Sequence, residues 1–477
     1  MKVLFIYLSQ ESGSYLARKR EYYISRMPQL GLQYLCAVLN TLGVENDIFD
    51  QTINGITLEE LVKKLEHEKY DLIGFYTDTT LKPKVITWIK ALKATDCSIV
   101  IIVGGPGTVN KEEYLSAGCD IALHGEGERT ICEIVEYLQK RRPLQEVKGI
   151  SFMREGMIVD TKPQNMIDNL DDIPFPDRDK IPVRYYYNYH IFNMRTPFTS
   201  MITSRGCAFN CSFCCSPGNW HRRIRQRSPE NIVAEIDEVV KKYNIKYISF
   251  KDDVFGLDRN WAEKFCDLLA SRRYDLCWMC LVHPFSFKGH EEEMLGKLRK
   301  AGCNTLIMGL QSADPGILKN INRHPDEPQS AKKLIGLAKQ KQFLTALQFI
   351  IGLPGDTVES IERTIDFSFS VRPHYAEFYS LEKLEGSELE AHYKDAPACS
   401  LSSQEIKRWT AYAMRKYYTD PRNVLQNFVY VARHNPRWFI KAARYFGYFS
   451  EAIGWKNSYS RSKEQYAMLE TANAPTS

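Results

Sequence analysis

The sequence predicts an α/β protein with two successive domains of alternating strand and helix, then a helical end. Two observations carry this prediction. Short apolar runs alternate with amphipathic segments from residue 3 to residue 381, the pattern of parallel sheets flanked by helices. From about residue 396 the alternation stops and helical periodicity takes over. A length of 477 residues suggests about two to four domains at roughly 100–200 residues each. With 44% hydrophobic and 25% charged residues, a disordered or collagen-like chain is excluded.

The first series of strands is Val3–Leu8, Glu45–Phe49, Leu72–Phe75, Ile99–Val103 and Ile121–Leu123. Amphipathic helices such as Leu58–Glu66 and Lys82–Lys93 separate them. Any ligand of such a domain lies in the crevice at the carboxyl ends of the strands. The amino terminus is apolar only as far as Leu8, and polar Ser9-Gln-Glu-Ser follows, so it reads as a strand and not a signal peptide. No stretch reaches the roughly 20 apolar residues of a membrane span. A cytoplasmic location is expected, where the thirteen cysteines are metal ligands or buried thiols more often than disulfides.

A connector over 146–198 contains Asp171-Asp-Ile-Pro-Phe-Pro-Asp and the run Tyr185-Tyr-Tyr-Asn-Tyr. Its prolines hold the backbone extended, so it reads as a linker packed over a surface. The second series follows: Ser200–Ser204, Tyr247–Lys251, Cys277–Val282, Thr305–Met308, Leu347–Gly352 and Ala376–Leu381. Six βα units make a partial barrel with its site at the strands' carboxyl ends. Trp278 and Tyr379 are candidates to line its pocket, although barrel interiors fill with large side chains anyway.

The sharpest signal is Cys207-Ala-Phe-Asn-Cys211-Ser-Phe-Cys214, after the first strand of this second series. Thiolates suit zinc or iron–sulfur clusters. Structural zinc wants four ligands in pairs, whereas this is one trio with Cys215 as a neighbour. Three cysteines on a cubane leave the fourth iron open for a substrate. Cys277-Trp-Met-Cys280 lies within a strand pattern that points its cysteines to opposite faces, so it reads as core.

On these residues the chain resembles the radical S-adenosylmethionine superfamily, whose signature is Cys-x3-Cys-x2-Cys after the first strand of a TIM-like partial (β/α)6 barrel. The resemblance implies a 4Fe-4S cluster on Cys207, Cys211 and Cys214 and S-adenosylmethionine on its open iron. It also implies reductive cleavage to a 5′-deoxyadenosyl radical and an external electron donor of flavodoxin or ferredoxin type. Phe213 matches the position near adenine. Asp252 and Asp253 match polar contacts to the methionine amino group, with a helix cap or loop salt bridge as the plain alternative. Gln311 and Ser312 match contacts to the carboxylate or ribose. Gly352, in Gly-Leu-Pro-Gly-Asp-Thr, matches close backbone approach to adenine or simply a tight turn.

The front segment carries Met27-Pro-Gln-Leu-Gly, Val103-Gly104-Gly105-Pro-Gly-Thr and His124-Gly125-Glu126-Gly-Glu-Arg-Thr. With Asp171-Asp-Ile-Pro-Phe-Pro and the cysteine trio, this ordered set resembles the cobalamin-binding subgroup of the superfamily. The implied layout is a Rossmann-like cobalamin domain over 1–145, the linker over 146–198, the barrel over 199–395 and a helical region over 396–477. Cobalamin-binding residues implied are Thr77, Asp78 and Thr79 near the lower face, with Gly104, Gly105, Gly125 and Glu126 along the corrin and its tail. The motif Asp-x-His-x-x-Gly is missing and the first histidine is His67, so cobalt without histidine ligation is expected.

The resemblance implies methylation of an unactivated carbon, through a 5′-deoxyadenosyl radical and methylcobalamin. Oxidative cyclisation or rearrangement without methyl transfer is the alternative with the same cofactors. A methylthiotransferase is disfavoured because Cys36, Cys97 and Cys119 fall at helix or strand positions. A non-catalytic cobalamin or redox sensor is the reading from another class. A small-molecule or lipid-like substrate is expected, and no nucleic acid.

Residues 401–477 hold twelve Lys/Arg against five Asp/Glu and 15 of the 57 aromatic residues, which suggests a contact surface. Within 436–449, Arg437, Lys441 and Arg444 share one helical face opposite Phe439, Phe446 and Phe449. Such a helix fits either aromatic packing on the barrel or an anionic membrane surface. The latter predicts a peripheral position at the membrane, bringing the active site to a hydrophobic substrate.

Overall fold

The structure, a computed structural model, describes residues 1–9, 27–186, 195–394 and 396–436. The front unit runs β1 (Lys2–Tyr7), α1 (Leu30–Thr41), β2 (Glu45–Asp50), α2 (Gln51–Asn54), α3 (Leu58–His67), β3 (Leu72–Tyr76), α4 (Lys82–Thr95), β4 (Val100–Gly104), α5 (Lys111–Ser116), β5 (Ile121–Leu123) and α6 (Gly127–Leu138). The hairpin β6 (Ile150–Arg154) and β7 (Met157–Asp160) then completes a seven-stranded sheet ordered β2-β1-β3-β4-β5-β6-β7. Strands β1 to β5 pair in parallel and β6 and β7 antiparallel. The parallel strands are buried on both faces, with Ile6, Ile73, Phe75 and Val103 packing one side and Val3, Phe5, Leu72 and Ile102 the other. That is why they read as continuous apolar runs.

The five expected strands are present. The expected boundary at 145 is early, because the hairpin over 150–160 belongs to the front sheet. Nor is the linker only a surface strap. Arg178 is fully buried, donating to Glu235 Oε1 (2.6 Å), Thr199 Oγ1 (3.0 Å) and the Ser200 carbonyl (3.0 Å). Arg227 pairs with the other oxygen of Glu235.

The second unit runs β8 (Phe198–Met201), β9 (Ser204–Arg205), α7 (Ser216–Trp220), β10 (Arg225–Gln226), α8 (Pro229–Tyr243), β11 (Tyr247–Phe250), α9 (Arg259–Ser271), β12 (Cys277–Val282), α10 (Glu291–Lys300), β13 (Cys303–Gln311), α11 (Pro315–Asn320), α12 (Glu327–Gln340), β14 (Leu344–Ile351), α13 (Val358–Val371) and β15 (Tyr375–Ser380). Six parallel strands line up as β15-β14-β13-β12-β11-β8, with β8 and β15 as the two edges. The barrel is therefore partial, as predicted. Side chains alternate between lumen and helices. Phe250 packs edge-on against Phe265 of α9, so Ser249 on the same strand faces inward.

Helices α14 (Glu388–Tyr393), α15 (Ser403–Thr419) and α16 (Pro421–His434) close the described chain. Asp420 ends α15 and caps α16, accepting from the amides of Arg422 and Asn423 with proline at the first helical position. Arg437, Phe439, Lys441, Arg444, Phe446 and Phe449 lie outside the described residues. Among the described residues no helix is long and apolar enough to cross a membrane.

Candidate active site where two strand mouths meet

The cysteine loop leaves β8 at the carboxyl end of the barrel and is held by two aspartates just beyond the end of β11. Asp252 Oδ1 accepts from the amides of Thr203 (2.7 Å) and Ser204 (2.5 Å) and from Ser204 Oγ (3.0 Å). Asp253 accepts from Ser216 Oγ (2.9 Å) and from the Gly206 amide. The two aspartates thus grip the loop before Cys207 and after Cys214. Gly206 has φ +95°, and a Cβ there would lie 2.0 Å from the Arg223 carbonyl oxygen. No other residue fits that approach. From the far side, Leu389 donates to the Ser212 carbonyl (2.8 Å) and the Ser212 amide to the Ile321 carbonyl (3.3 Å).

Cys207 is buried, Cys211 and Cys214 are half-buried, and all three are free thiols. Burial raises the three thiols, Cys207 to about 11 and Cys214 to about 12, while the Arg323 guanidinium pulls Cys207 and Cys211 the other way. Thiolate formation here is therefore coupled to metal binding. Among the described residues no three His, Cys, Asp or Glu converge on one ion. A cubane held by three cysteines instead spreads them over three of its four irons, and these three thiols on one loop are the donor set it would take. Ser212 Oγ and Asp252 Oδ2, beside the loop, and Ser200 Oγ and Ser249 Oγ, on adjoining strands, are buried without a hydrogen-bond partner. These are the orphaned polar atoms a ligand would satisfy. Burial lifts the Asp252 carboxyl to about 6 despite the amides it accepts from.

The other sequence-chosen residues divide. Phe213 packs against the apolar cluster of Ile317, Leu318, Ile321 and Leu353, as do Ile350 and Leu381. Gln311 sits at a strand irregularity with φ +72° and folds over Gly309. Ser312 is turned into helix packing, where it meets Thr364 Oγ1 (3.2 Å) and accepts from the Asp314 amide (3.1 Å). The space at Gly352 is claimed by α15, since a Cβ there would lie 2.7 Å from Ile406 Cδ1. The close approach of that helix is by itself a reason for glycine here. Trp278 is fully buried against Phe250 and Phe265, away from the lumen. Cys280 is buried beside Cys303, and Cys277 lies on the opposite side of its strand near Arg195.

On the front unit, the loops after β3 and β4 press backbone to backbone. Thr77 is buried, its hydroxyl on Tyr114 OH (2.7 Å), and its carbonyl accepts from the Gly107 amide (3.2 Å). Gly105, at φ +113°, passes so close that a Cβ would lie 2.6 Å from the Thr77 carbonyl oxygen; for Gly104 the nearest atom would be 3.9 Å away. Asp78 Oδ1 accepts from the amides of Thr80 and Leu81 and starts α4. Thr79 is exposed at the rim, and Gly125, at φ +72°, opens onto free space. His124 points elsewhere, to Ser151 Oγ (2.7 Å) under the hairpin. The described rim thus presents Thr79 and Gly125, with the His124 ring turned to Ser151.

The Glu126 side chain turns to the barrel. Its Oε1 accepts from Arg205 (2.6 Å), and its Oε2 from Arg225 (2.8 Å) and from the Ile167 amide (2.8 Å). Glu128 takes the other Arg205 nitrogen at 2.5 Å. Both carboxylates bind the barrel. Arg205 stands two residues before Cys207, so this buried clamp ties the front unit's strand mouth to the cysteine loop. Sequence reading missed it, because nothing local pairs residues 79 positions apart. It also missed the buried Arg323, which binds Glu327, the Gly309 carbonyl (2.8 Å) and His283, whose ring stacks on Phe209 of the loop at 3.8 Å. In the lumen, Gln348 Nε2 (2.9 Å) and Tyr379 OH (3.0 Å) both donate to Glu377 Oε2.

Family models agree with this layout. One described as the B12 binding domain matches residues 23–135, and one described as the radical SAM superfamily matches 201–368. An uncharacterized methyltransferase of Pyrococcus horikoshii is 30% identical over 74% of this chain and 75% of its own. The chain belongs to the radical SAM superfamily. An anaerobic magnesium-protoporphyrin IX monomethyl ester cyclase of Rubrivivax gelatinosus is 27% identical, over 79% of this chain and 67% of its own. The fold matches that of the radical S-adenosylmethionine methyltransferase TsrM of Kitasatospora setae. The TM-score is 0.65 at 18% identity, covering 81% of this chain and 73% of that one. This radical SAM protein is a cobalamin-dependent enzyme whose cofactors are a 4Fe-4S cluster, S-adenosylmethionine and cobalamin.

Proposed function

We propose that the enzyme methylates an unactivated carbon of a small molecule seated in the barrel lumen. The clamp from Arg205 to Glu126 and Glu128 carries this reading, because it fixes the cobalamin-side mouth against the cysteine loop. Together the three cofactors supply an organic radical that removes a hydrogen atom and a methyl group for the carbon so activated. The chain's own part is to orient and to exclude water. Asp252 and Asp253 fix the loop of Cys207, Cys211 and Cys214 from below. Phe213, Ile350 and Leu353 offer an apolar wall beside it, and Asp252 Oδ2 and Ser212 Oγ offer polar contacts to S-adenosylmethionine. Thr79, Gly105 and Gly125 border the cobalamin rim. Glu377, oriented by Gln348 and Tyr379, offers a carboxylate to a donor group on the substrate. Electrons come from an external donor of flavodoxin or ferredoxin type.

The Pyrococcus relative's name supports methyl transfer, and the Rubrivivax relative supports a second reading, oxidative cyclisation with the same cofactors. One experiment separates them. The reduced holoenzyme is incubated with cell extract and S-adenosylmethionine carrying a deuterated methyl group. Methyl transfer gives 5′-deoxyadenosine, S-adenosylhomocysteine and a product that keeps three deuterons. Cyclisation gives 5′-deoxyadenosine with no labelled product. No 5′-deoxyadenosine at all would defeat both readings.

A further inference from the structure

Helix α16 is built inside out. Its inward face is polar: Asn423 Nδ2 donates to the Tyr417 carbonyl (3.0 Å), Gln426 Nε2 to the carbonyls of Arg372 and Pro373 (3.2 Å each), and Asn427 Nδ2 to that of His374 (2.9 Å). Tyr430 and Val431 complete the buried side. Its outward face is apolar, with Val424, Leu425 and Val429 exposed by 51, 62 and 50% and Phe428 on the same face. The spacing i, i+1, i+4, i+5 gathers these side chains on one side. A helix that merely packs on a water-soluble barrel has the reverse distribution, so this face is shaped for an apolar neighbour.

Charge selects the neighbour. Between Asp420 and Glu451 the chain carries Arg422, Arg433, Arg437, Lys441 and Arg444, eight aromatic residues and no Asp or Glu. Arg422 and Arg433 are exposed at the two ends of the apolar face. A second copy docked there about a two-fold axis would set these like charges against each other. An anionic bilayer accepts both features, the apolar side chains at the acyl boundary and the basic ones among the headgroups.

We propose that the outward face of α16 is a docking surface for an anionic lipid bilayer. The surface lies at the base of the barrel, because α16 packs on Arg372 to His374 just before β15 begins, whereas the cysteine loop leaves the opposite, carboxyl ends. Docking therefore holds the enzyme at a membrane with its mouth turned away. The helix expected over 436–449, which would bring the active site to a lipid, lies outside the described residues beyond Pro436 and is a separate matter from this face. The proposal stands apart from the methylation reading and is tested without substrate.

The test is sedimentation of the full-length holoenzyme with vesicles of phosphatidylcholine alone or with phosphatidylglycerol added at about one part in three. Wild type pellets with the anionic vesicles at about 0.1 M salt and is released as ionic strength rises toward about 1 M. Leu425→Gln/Val429→Gln lowers vesicle affinity by about tenfold or more, while iron content, bound cobalamin and melting temperature stay at wild-type values. Arg422→Gln/Arg433→Gln removes most of the preference for phosphatidylglycerol. Wild type staying in the supernatant, or the Leu425/Val429 variant pelleting like wild type, overturns the proposal. So does a wild-type dimer in light scattering that the same variant converts to monomer, since the face would then join two copies.

Discussion

The two strand mouths meeting at the site are built in different ways. The barrel mouth is held by side chains: Asp252 and Asp253 grip the cysteine loop, and Arg323 and His283 support it from the other side. The front mouth is held by backbone, with Gly105 and Gly107 letting two loops touch and leaving Thr79 and Gly125 open at the rim. The difference follows from what each mouth has to hold. A cluster is bonded to three sulfurs, and those sulfurs need fixed positions. A corrin is a broad, flat group that lies along a surface, and glycine brings backbone close to it. The Arg205 clamp is where the two designs join.

The largest effect is expected from removing the ligands. Cys207→Ala/Cys211→Ala/Cys214→Ala should take iron content from about four per chain to none and leave cobalamin binding intact. Retained iron would mean the cluster is held elsewhere. Gly206→Ala should cost the barrel mouth most of its cluster, because the new methyl meets the Arg223 carbonyl and the loop must shift. Equal loss of cobalamin in that variant would show that the two mouths are not separable.

Breaking the clamp probes the join. Glu126→Gln leaves Arg205 and Arg225 short of a buried countercharge, at a cost of about 3–5 kcal/mol, read as a lower denaturation midpoint. If Tm does not move, the clamp is not a stability element. Its functional signature is a fall in S-adenosylhomocysteine relative to 5′-deoxyadenosine, since the cofactor sites would lose their fixed relation.

A smaller effect is expected far from both mouths. His374 is buried at the barrel base, accepts from the Thr345 amide at 3.1 Å and lies against Tyr430. Burial, with Lys339 and His434 adding repulsion, lowers its imidazole from 6.5 to about 3. A lowered folded value means that its contribution is present above about pH 6.5 and is lost as pH falls toward 3. Roughly 2 kcal/mol should disappear between pH 7 and pH 5, and His374→Asn should flatten that slope in chemical denaturation. An unchanged slope would assign the pH dependence to other groups. The smallest effect is a null at the front mouth. His124→Ala should leave the paramagnetic resonance of bound Co(II) unaltered and free of nitrogen splitting, because His124 faces Ser151. A changed cobalt signal would place an imidazole at that mouth after all.

Local signals alone determined much of this protein. Apolar runs bounded by turns gave all eleven strands of the two parallel series, since burial on both faces leaves a pattern within a few residues. The spacing of Cys207, Cys211 and Cys214 pointed to a cluster, because the three cysteines lie on one short loop. Distance along the chain was the limit. The hairpin over 150–160 joined the front sheet through pairing with β5 that no local pattern encodes. The contact of α15 with the Gly352 turn through Ile406 had no local sign either. The ion pairs of Glu126 arise only because folding sets Arg205 and Arg225 beside it. Only the tertiary structure decides such cases, because a buried charge or a missing Cβ takes its meaning from the neighbour that folding supplies.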